Sequence, residues 1–566
     1  MISRKAALAQ IDSNEFDLVV IGGGATGTMV ALDAASRGMS VALLERDDYS
    51  QGTSSRSSKM IHGGLRYLEN FDVGLVREAL LERSLMVELA PHQVYPTPYL
   101  VPRLGDDRRD IALGMGLNAY DALATVRIRS ANGATETAEN ETIAAAVEHT
   151  RSWSPERHRI IEGDEAVRLM PALDPLHPQS AYLFYDCQTD DSRLVITALQ
   201  EAERYGAVLL NRADVVEVLE RNGRVCGVAF DERESGGRVE VQASHVVNAT
   251  GVWADRIRPR DVDPTSEVPV ISPSRGTHIT LSLDDLPVGE AACIVPAGEG
   301  RRIFALPWYG RALIGTTDHD YEGDIDSVPP SQSDVEYLLD AVNAYFETDL
   351  TPESVTGAYA GVRPLISSGD NKKSVDISRK AELYETGSGM LTITGGKYTT
   401  WRRMGKQVVD RLVEREGLSA PCRTAEIPLG LPARSEDLTT PLELPDGTID
   451  QLAFRYGHGS REVLDLCSER PELAQPILEG FPDLMAEVVI GARNEQATSV
   501  ADVILRRTRL GVIAARQLGS SESVTGVADL LGEELGWSKK RRSEEADAWV
   551  EEARREGIDP LIRAGR

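Results

Sequence analysis

Residues 16–45, FDLVVIGGGATGTMVALDAASRGMSVALLE, place glycines at positions 22, 24 and 27 directly after an apolar run. The spacing G-x-G-x-x-G suits a pyrophosphate. Gly22 permits a tight turn, Gly24 lets the backbone approach phosphates, and Gly27 lets a helix pack close to a strand. The N-terminus of that helix then stabilises phosphate charge. Glu45 closes the next apolar run, at the distance from which a carboxylate binds ribose hydroxyls. Just beyond it, Thr53, Ser54, Ser57 and Ser58 supply hydroxyls able to follow an extended dinucleotide.

Such a site needs a βαβ unit to hold it. Residues 18–21 and 41–44 read as buried parallel strands, and 28–36 as an alanine-rich helix between them. A right-handed crossover places both strands in one sheet. A polar-and-helical stretch follows over about 70–180, with a surface loop at 131–140. A second α/β region begins near Leu194. Within it, VVEVLERNGRVCGVAF reads as a hairpin turning at Asn222-Gly223. Alternating apolar residues from Glu267 to Thr317 predict an antiparallel sheet, and MLTITGGKYTTWRRMGKQVVDRL reads as strand, glycine turn and helix. Beyond Pro421 charged helical patterns dominate. The expected division is therefore a region over 1–415 and a helical domain over 420–566. The basic run 539–542 reads as a solvated helix start.

The bulk properties narrow the classes. The 566 residues exceed one compact core. A formal charge of -28 makes nucleic acid a poor partner. Only nine of the 61 basic residues are lysine, and an acid-rich, lysine-poor surface suits a high-salt cytoplasm. The five cysteines, at 187, 226, 293, 422 and 467, form no C-x-x-C pair, which argues against thiolate metal sites and a disulfide framework. No apolar run reaches a membrane span, and the N-terminus lacks the apolar stretch of a secretory signal. A cytoplasmic protein is expected, with docking at the inner membrane face left open.

The motif SSKMIHGGLRYLE resembles the signature of the FAD-dependent glycerol-3-phosphate dehydrogenases, and five further segments agree in order: YDCQTDDSRLV, VVNATGVWAD, SRGTHITL, AGVRPL and ITGGKYTTWR. VADVILRRTRLG, from Val500, resembles that family's C-terminal helical domain. The resemblance implies an α/β fold. An FAD-binding Rossmann-like domain of the glutathione-reductase/DAO type is built from segments near 15–70, 190–260 and 355–415. It interleaves with an antiparallel-sheet substrate domain, and a C-terminal helical domain follows.

It also implies FAD contacts at Thr250, Gly251, Gly361, Gly395, Gly396, Thr399 and either Val215 or Val216. A phosphate dianion in an acidic protein needs fixed cations, and the motif positions offer Arg66, Arg363, Arg379 and Lys397. Tyr67, Thr277 and His278 would add hydrogen bonds. The implied reaction takes a hydride from C2 of sn-glycerol 3-phosphate to the flavin. A proton goes to His62 or His278, while Arg363 and Lys397 stabilise developing charge. Electrons would pass to a quinone or a partner subunit, with peripheral membrane contact and a homo-oligomer or complex expected.

One departure is Ser378-Arg379-Lys380, where many aerobic members carry an aspartate after the arginine. VDISRKAEL and APCRTAEIPL look closer to the anaerobic catalytic subunit, and HGGLRYLE to the aerobic enzyme. Two competing readings are an amino-acid oxidase relative, which needs a carboxylate clamp, and a non-catalytic flavin subunit of a membrane complex.

Overall fold

The computed structural model describes residues 3–65, 72–105, 111–125, 157–259, 270–298, 300–366 and 381–561. Arg66, Tyr67, Arg379 and the loop expected at 131–140 lie outside the described residues.

The opening segment folds as its periodicity dictates. Strand Phe16–Ile21 is followed by helix Ala25–Ser36 and strand Val41–Leu44. The sheet built on them runs, in spatial order, Ala381–Glu385, Leu391–Gly395, Arg238–Asn248, Phe16–Ile21, Val41–Leu44 and Val208–Leu210. All of these but the first are mutually parallel. The register brings four strand ends level. Gly22 N–H donates to the Leu44 carbonyl (2.8 Å), Ala249 N–H to that of Ile21 (2.9 Å), and Glu45 N–H to that of Leu210 (2.9 Å). Turns that carry chemistry in such sheets gather at this carboxyl edge. Asn222 and Gly223, both with positive φ, turn the expected hairpin between Ala213–Arg221 and Arg224–Glu232.

A second, ten-stranded sheet is antiparallel except where Ala292–Pro296 runs parallel to Val94–Arg103. It contains the strands expected between 267 and 317, and it also recruits segments read otherwise. Val94–Arg103 and Ser180–Thr189 pair along ten residues, inside a stretch read as polar and helical. The prolines of VYPTPYLVPR argue against a strand. Pro96, Pro98 and Pro102, however, sit at alternate positions, so their missing donors fall along one edge, which pairs with a neighbour only at Tyr99 and Leu100. Val355–Ile366 belongs to this sheet too, antiparallel to Ile271–Ser282.

The C-terminal segment is helical, with Thr448–Tyr456, Ser460–Glu469, Met485–Asn494, Ser521–Leu535 and Lys539–Glu556 packed around Val463, Val488, Ile504, Leu531 and Trp549. The basic run opens the last helix. Ser538 caps it by accepting from Arg541 N–H, and Lys540 pairs with Glu544 along the exposed face. Among the described residues no helix is long and apolar enough to cross a membrane, and no cluster could hold a metal ion. All five cysteines are free thiols.

Candidate functional site

A cavity of about 1810 Å³ lies between the two sheets. It exceeds the roughly 300–1,000 Å³ of ordinary small-molecule pockets, so it can take a large cofactor together with a substrate. The glycine turn forms one end. Gly22 has φ 108°, and Gly24 is the N-cap of helix Ala25–Ser36, where it has no side chain of its own to cap the first turn. Ala25 N–H donates to Ser54 Oγ (2.9 Å), which joins the turn to the hydroxyl run.

Glu45 lines the same end. Its carboxylate accepts from Gly23 N–H (2.7 Å) and Asp47 N–H (2.9 Å). Burial pushes the carboxyl up to about 7, against the pull of those two N–H groups. The folded apoprotein therefore holds this proton more tightly than the unfolded chain. It loses the associated stability as pH rises from the ordinary 4.5 through about 7. A ribose donating to Glu45 favours the ionised form. Affinity of the apoprotein for a dinucleotide should then rise between pH 6 and pH 8, by up to about tenfold per unit below the pKa. Fluorescence titration checks this, and Glu45→Gln should give a flat profile.

Of the four hydroxyls, Thr53 donates to the Val362 carbonyl (2.6 Å) and Ser54 accepts from the helix start. Ser58 Oγ lies 2.9 Å from His278 Nε2. Ser57 differs from the expectation. Its hydroxyl and N–H both donate to Asp191 (2.7 and 3.0 Å), so it shapes the wall from behind although it borders the cavity. Val215 lines the cavity, and Val216, on the other face of its strand, is exposed. Thr250, Gly251, Gly361, Gly395, Gly396 and Thr399 all border it. The Thr399 hydroxyl joins both the N–H and the carbonyl of His62, each at 3.2 Å.

Strand alternation sorts the remaining candidates. Gly276 and His278 face the cavity. Thr277, between them, must face away. Its hydroxyl donates to Asp334 (2.7 Å) on helix Gln332–Phe346 behind the sheet, so it does not reach a substrate here, contrary to the expectation. His278 stacks on Tyr359 (4.8 Å between centroids), and its Nδ1 is buried with no hydrogen-bond partner. Burial, then the positive charges of Lys59 and Arg363, hold its pKa well below the usual histidine range. Opposite Ser274, Arg363 pairs with Asp318 (3.1 Å) and lies 3.4 Å from the hydroxyls of Ser274 and Thr316. Lys397 follows the last glycine turn and also lines the cavity. His62, His278, Arg363 and Lys397 therefore border one space, with His278 the more buried of the two histidines and bonded to Ser58.

Sequence reasoning missed a buried group behind the hydroxyl run. Lys59 Nζ binds both oxygens of Asp191 (2.9 and 2.8 Å) and the Ser55 carbonyl (2.7 Å). The signal was present, since Lys59, Asp190 and Asp191 stand inside the quoted motifs in a chain with few lysines.

Residues 17–402 match the family model described as FAD dependent oxidoreductase, and 393–542 that of the C-terminal domain of alpha-glycerophosphate oxidase. Glycerol-3-phosphate dehydrogenase 2 of Mycobacterium tuberculosis (strain ATCC 25618 / H37Rv) is 35% identical, over 94% of this chain and 87% of its own. The aerobic glycerol-3-phosphate dehydrogenase of Staphylococcus saprophyticus is 31% identical over 99% of both. Among solved structures, the glycerol-3-phosphate dehydrogenase from Bacillus halodurans complexed with FAD superposes with a TM-score of 0.76 at 26% identity, covering 99% of each chain.

Proposed function

Because the chain belongs to the family of FAD-dependent glycerol-3-phosphate dehydrogenases, we propose that it oxidises sn-glycerol 3-phosphate at C2 to dihydroxyacetone phosphate. One observation carries the reading. The glycine turn with Glu45 and the cations Arg363 and Lys397 border a single continuous cavity.

The residues present fit FAD. The helix start after Gly24, where the N-cap has no side chain, would offer N–H groups of its first turn to a pyrophosphate, and ribose hydroxyls would donate to Glu45. The glycines at 251, 361, 395 and 396 border the far end, and a Cβ at 361 or 396 would collide with Arg56 or Met404 of the same wall. When bound, FAD supplies the hydride acceptor. The chain's own task is to bind, orient and take the proton. Arg363 offers a planar fork and Lys397 a compact charge to the phosphate and to the oxygen on C2 as it gains charge. His62, half-buried with its backbone held at Thr399, accepts the proton of the C2 hydroxyl. His278 is a poor acceptor, since burial and two nearby cations oppose its protonation, and it instead positions Ser58.

Electrons leave to a membrane quinone or an electron-accepting partner subunit at the inner membrane face. Val73 and Met115, exposed apolar residues on the cavity border, support an apolar contact there. A charge of -28 opposes direct docking on anionic lipid.

The test is anaerobic addition of glycerol 3-phosphate to the purified yellow protein, with glycerol as control. The flavin absorbance should bleach with the phosphate ester and stay with glycerol. Bleaching by an amino acid instead would replace the reading with an amino-acid oxidase.

A further inference from the structure

The two stretches that border the cofactor end, 45–50 and 53–59, rest on the C-terminal helical segment. Asp48, three residues after Glu45, receives Arg506 and Arg507, and Tyr49 donates to Gln496 Oε1 (2.9 Å). Behind the hydroxyl run, the Asp191 carboxylate is a hub. It accepts from Ser57 N–H and Oγ, from Lys59 Nζ, and from Arg509 Nη2 at 2.5 Å. Arg509 Nη2 also donates to the Ser55 carbonyl (3.0 Å), the same oxygen that Lys59 holds. Neighbouring Asp190 lies 3.4 Å from Arg509 Nε and accepts from Tyr309 (2.9 Å). Lys59, Arg509, Asp190 and Asp191 are all buried. Burial, then the charge of Arg509, push the Lys59 ammonium down to about 7 against the pull of the two aspartates.

The backbone around this hub is held in conformations that side chains rarely adopt. Nine residues other than glycine have positive φ among those described, and six of them lie in this interface: Ser50, Lys59, Arg212, Tyr309, Gln496 and Arg509. Each contributes a side-chain bond to it. Strain of this kind persists only where surrounding contacts over-determine it, and it gathers at functional sites. Arg509 also follows a π-helical turn, Asp502–Arg507, a form found mostly at such sites.

We propose that Arg509 is a positioning residue for the flavin site, and that the C-terminal helical segment, acting through Arg509 and Asp191, sets the wall of hydroxyls at 53–58. The inference rests on FAD occupying the cavity. A charge-assisted bond at Asp191 fixes Ser57, and Ser57 fixes the path of the chain between Thr53 and Ser58. Without Arg509, Lys59 is the one cation left hydrogen-bonded to the Asp191 carboxylate, which then shifts towards Lys59 and away from the geometry that holds Ser57. Removing Arg509 takes the ion-pair contact at 3.4 Å from Asp190 and one donor from Asp191, the carboxylate that holds Ser57 of the cofactor wall directly.

The experiment uses full-length Arg509→Met and Arg509→Lys. It measures the Kd of the apoprotein for FAD, the visible spectrum of the bound flavin, and kcat and KM for glycerol 3-phosphate. In Arg509→Met the Kd should rise at least about tenfold. The flavin spectrum should shift, and kcat should fall by up to about a hundredfold with KM much less affected. Arg509→Lys should recover part of each. Ile504→Val, in the core of the same segment, serves as the comparison and should lower Tm alone.

If Arg509→Met does not fold, the double variant Arg509→Met with Asp190→Asn keeps the buried charge balanced and retains a helix N-cap. It should show the same weakened FAD binding. A folded variant with wild-type Kd, spectrum and kcat overturns the proposal, whatever its Tm. Weakened FAD binding in a protein whose wild type is not bleached by glycerol 3-phosphate would instead reject the proposed substrate and leave the positioning role standing.

Discussion

Arg363→Ala is expected to lower kcat/KM for glycerol 3-phosphate by roughly thirtyfold to several thousandfold, the range for removing one partner of a charged contact in a binding site. Flavin content should stay at the wild-type level. The separation follows from position. Arg363 lies towards the end of Val355–Ile366, beyond Gly361, on a strand of the second sheet, whereas the glycine turn that would hold the pyrophosphate belongs to the first. Its contacts to Ser274 and Thr316 are at the long end of the hydrogen-bond range, and the ion pair with Asp318 is partly solvated. Folding therefore depends little on it, since partly exposed pairs contribute modestly. A phosphate, by contrast, would lose a planar two-donor partner that lysine replaces only in charge. Arg363→Lys should accordingly fall between wild type and alanine. Steady-state kinetics beside an absorbance measurement of flavin per chain decide the point. An unchanged kcat/KM would remove Arg363 from the substrate site.

What was legible in the sequence was local. Residues 16–45 announce a turn, a helix and two buried strands, because each step depends on neighbours within a few positions. The turn at 395–397 was legible as a glycine turn between strand and helix, but its role and that of the cation at 363 came only through motif resemblance. What failed was long-range. Thr277 stands beside His278 in the sequence, yet strand alternation puts its hydroxyl on Asp334, on the far side of the sheet. Ser57 carries the same hydroxyl as Ser54 but turns to a carboxylate more than 130 positions away. The proline-bearing strand Val94–Arg103 defied propensity because its partner tolerates missing donors on one edge. Arg509 lay in a quoted motif, but nothing nearby in sequence shows that it reaches Ser55 and Asp191.

Gly24→Val and Gly27→Ala should both give colourless protein, for different reasons that thermal melting separates. A Cβ at Gly27 would lie 2.0 Å from the Gly22 carbonyl oxygen, a backbone atom already fixed by the strand register. Even one methyl group must push helix Ala25–Ser36 off the turn, and overpacking of this kind costs about 1–3 kcal/mol or more. Gly27→Ala should thus lose both the flavin and part of its Tm as apoprotein. At Gly24 the nearest atom to a Cβ is Ser54 Oγ at 3.0 Å, the end of a small side chain. The apoprotein has room there after a slight adjustment, so Gly24→Val should melt close to wild-type apoprotein. What it removes is the approach of a phosphate to the N–H groups of the helix's first turn. Losing two such charged hydrogen bonds, each worth about 1.5–3 kcal/mol, weakens FAD roughly a hundredfold or more. The measurements are flavin absorbance per chain, Kd by fluorescence quenching, and Tm of both apoproteins beside wild type. Full flavin occupancy in Gly24→Val would mean that the pyrophosphate does not lie on this turn, and the cofactor would have to be placed elsewhere in the cavity.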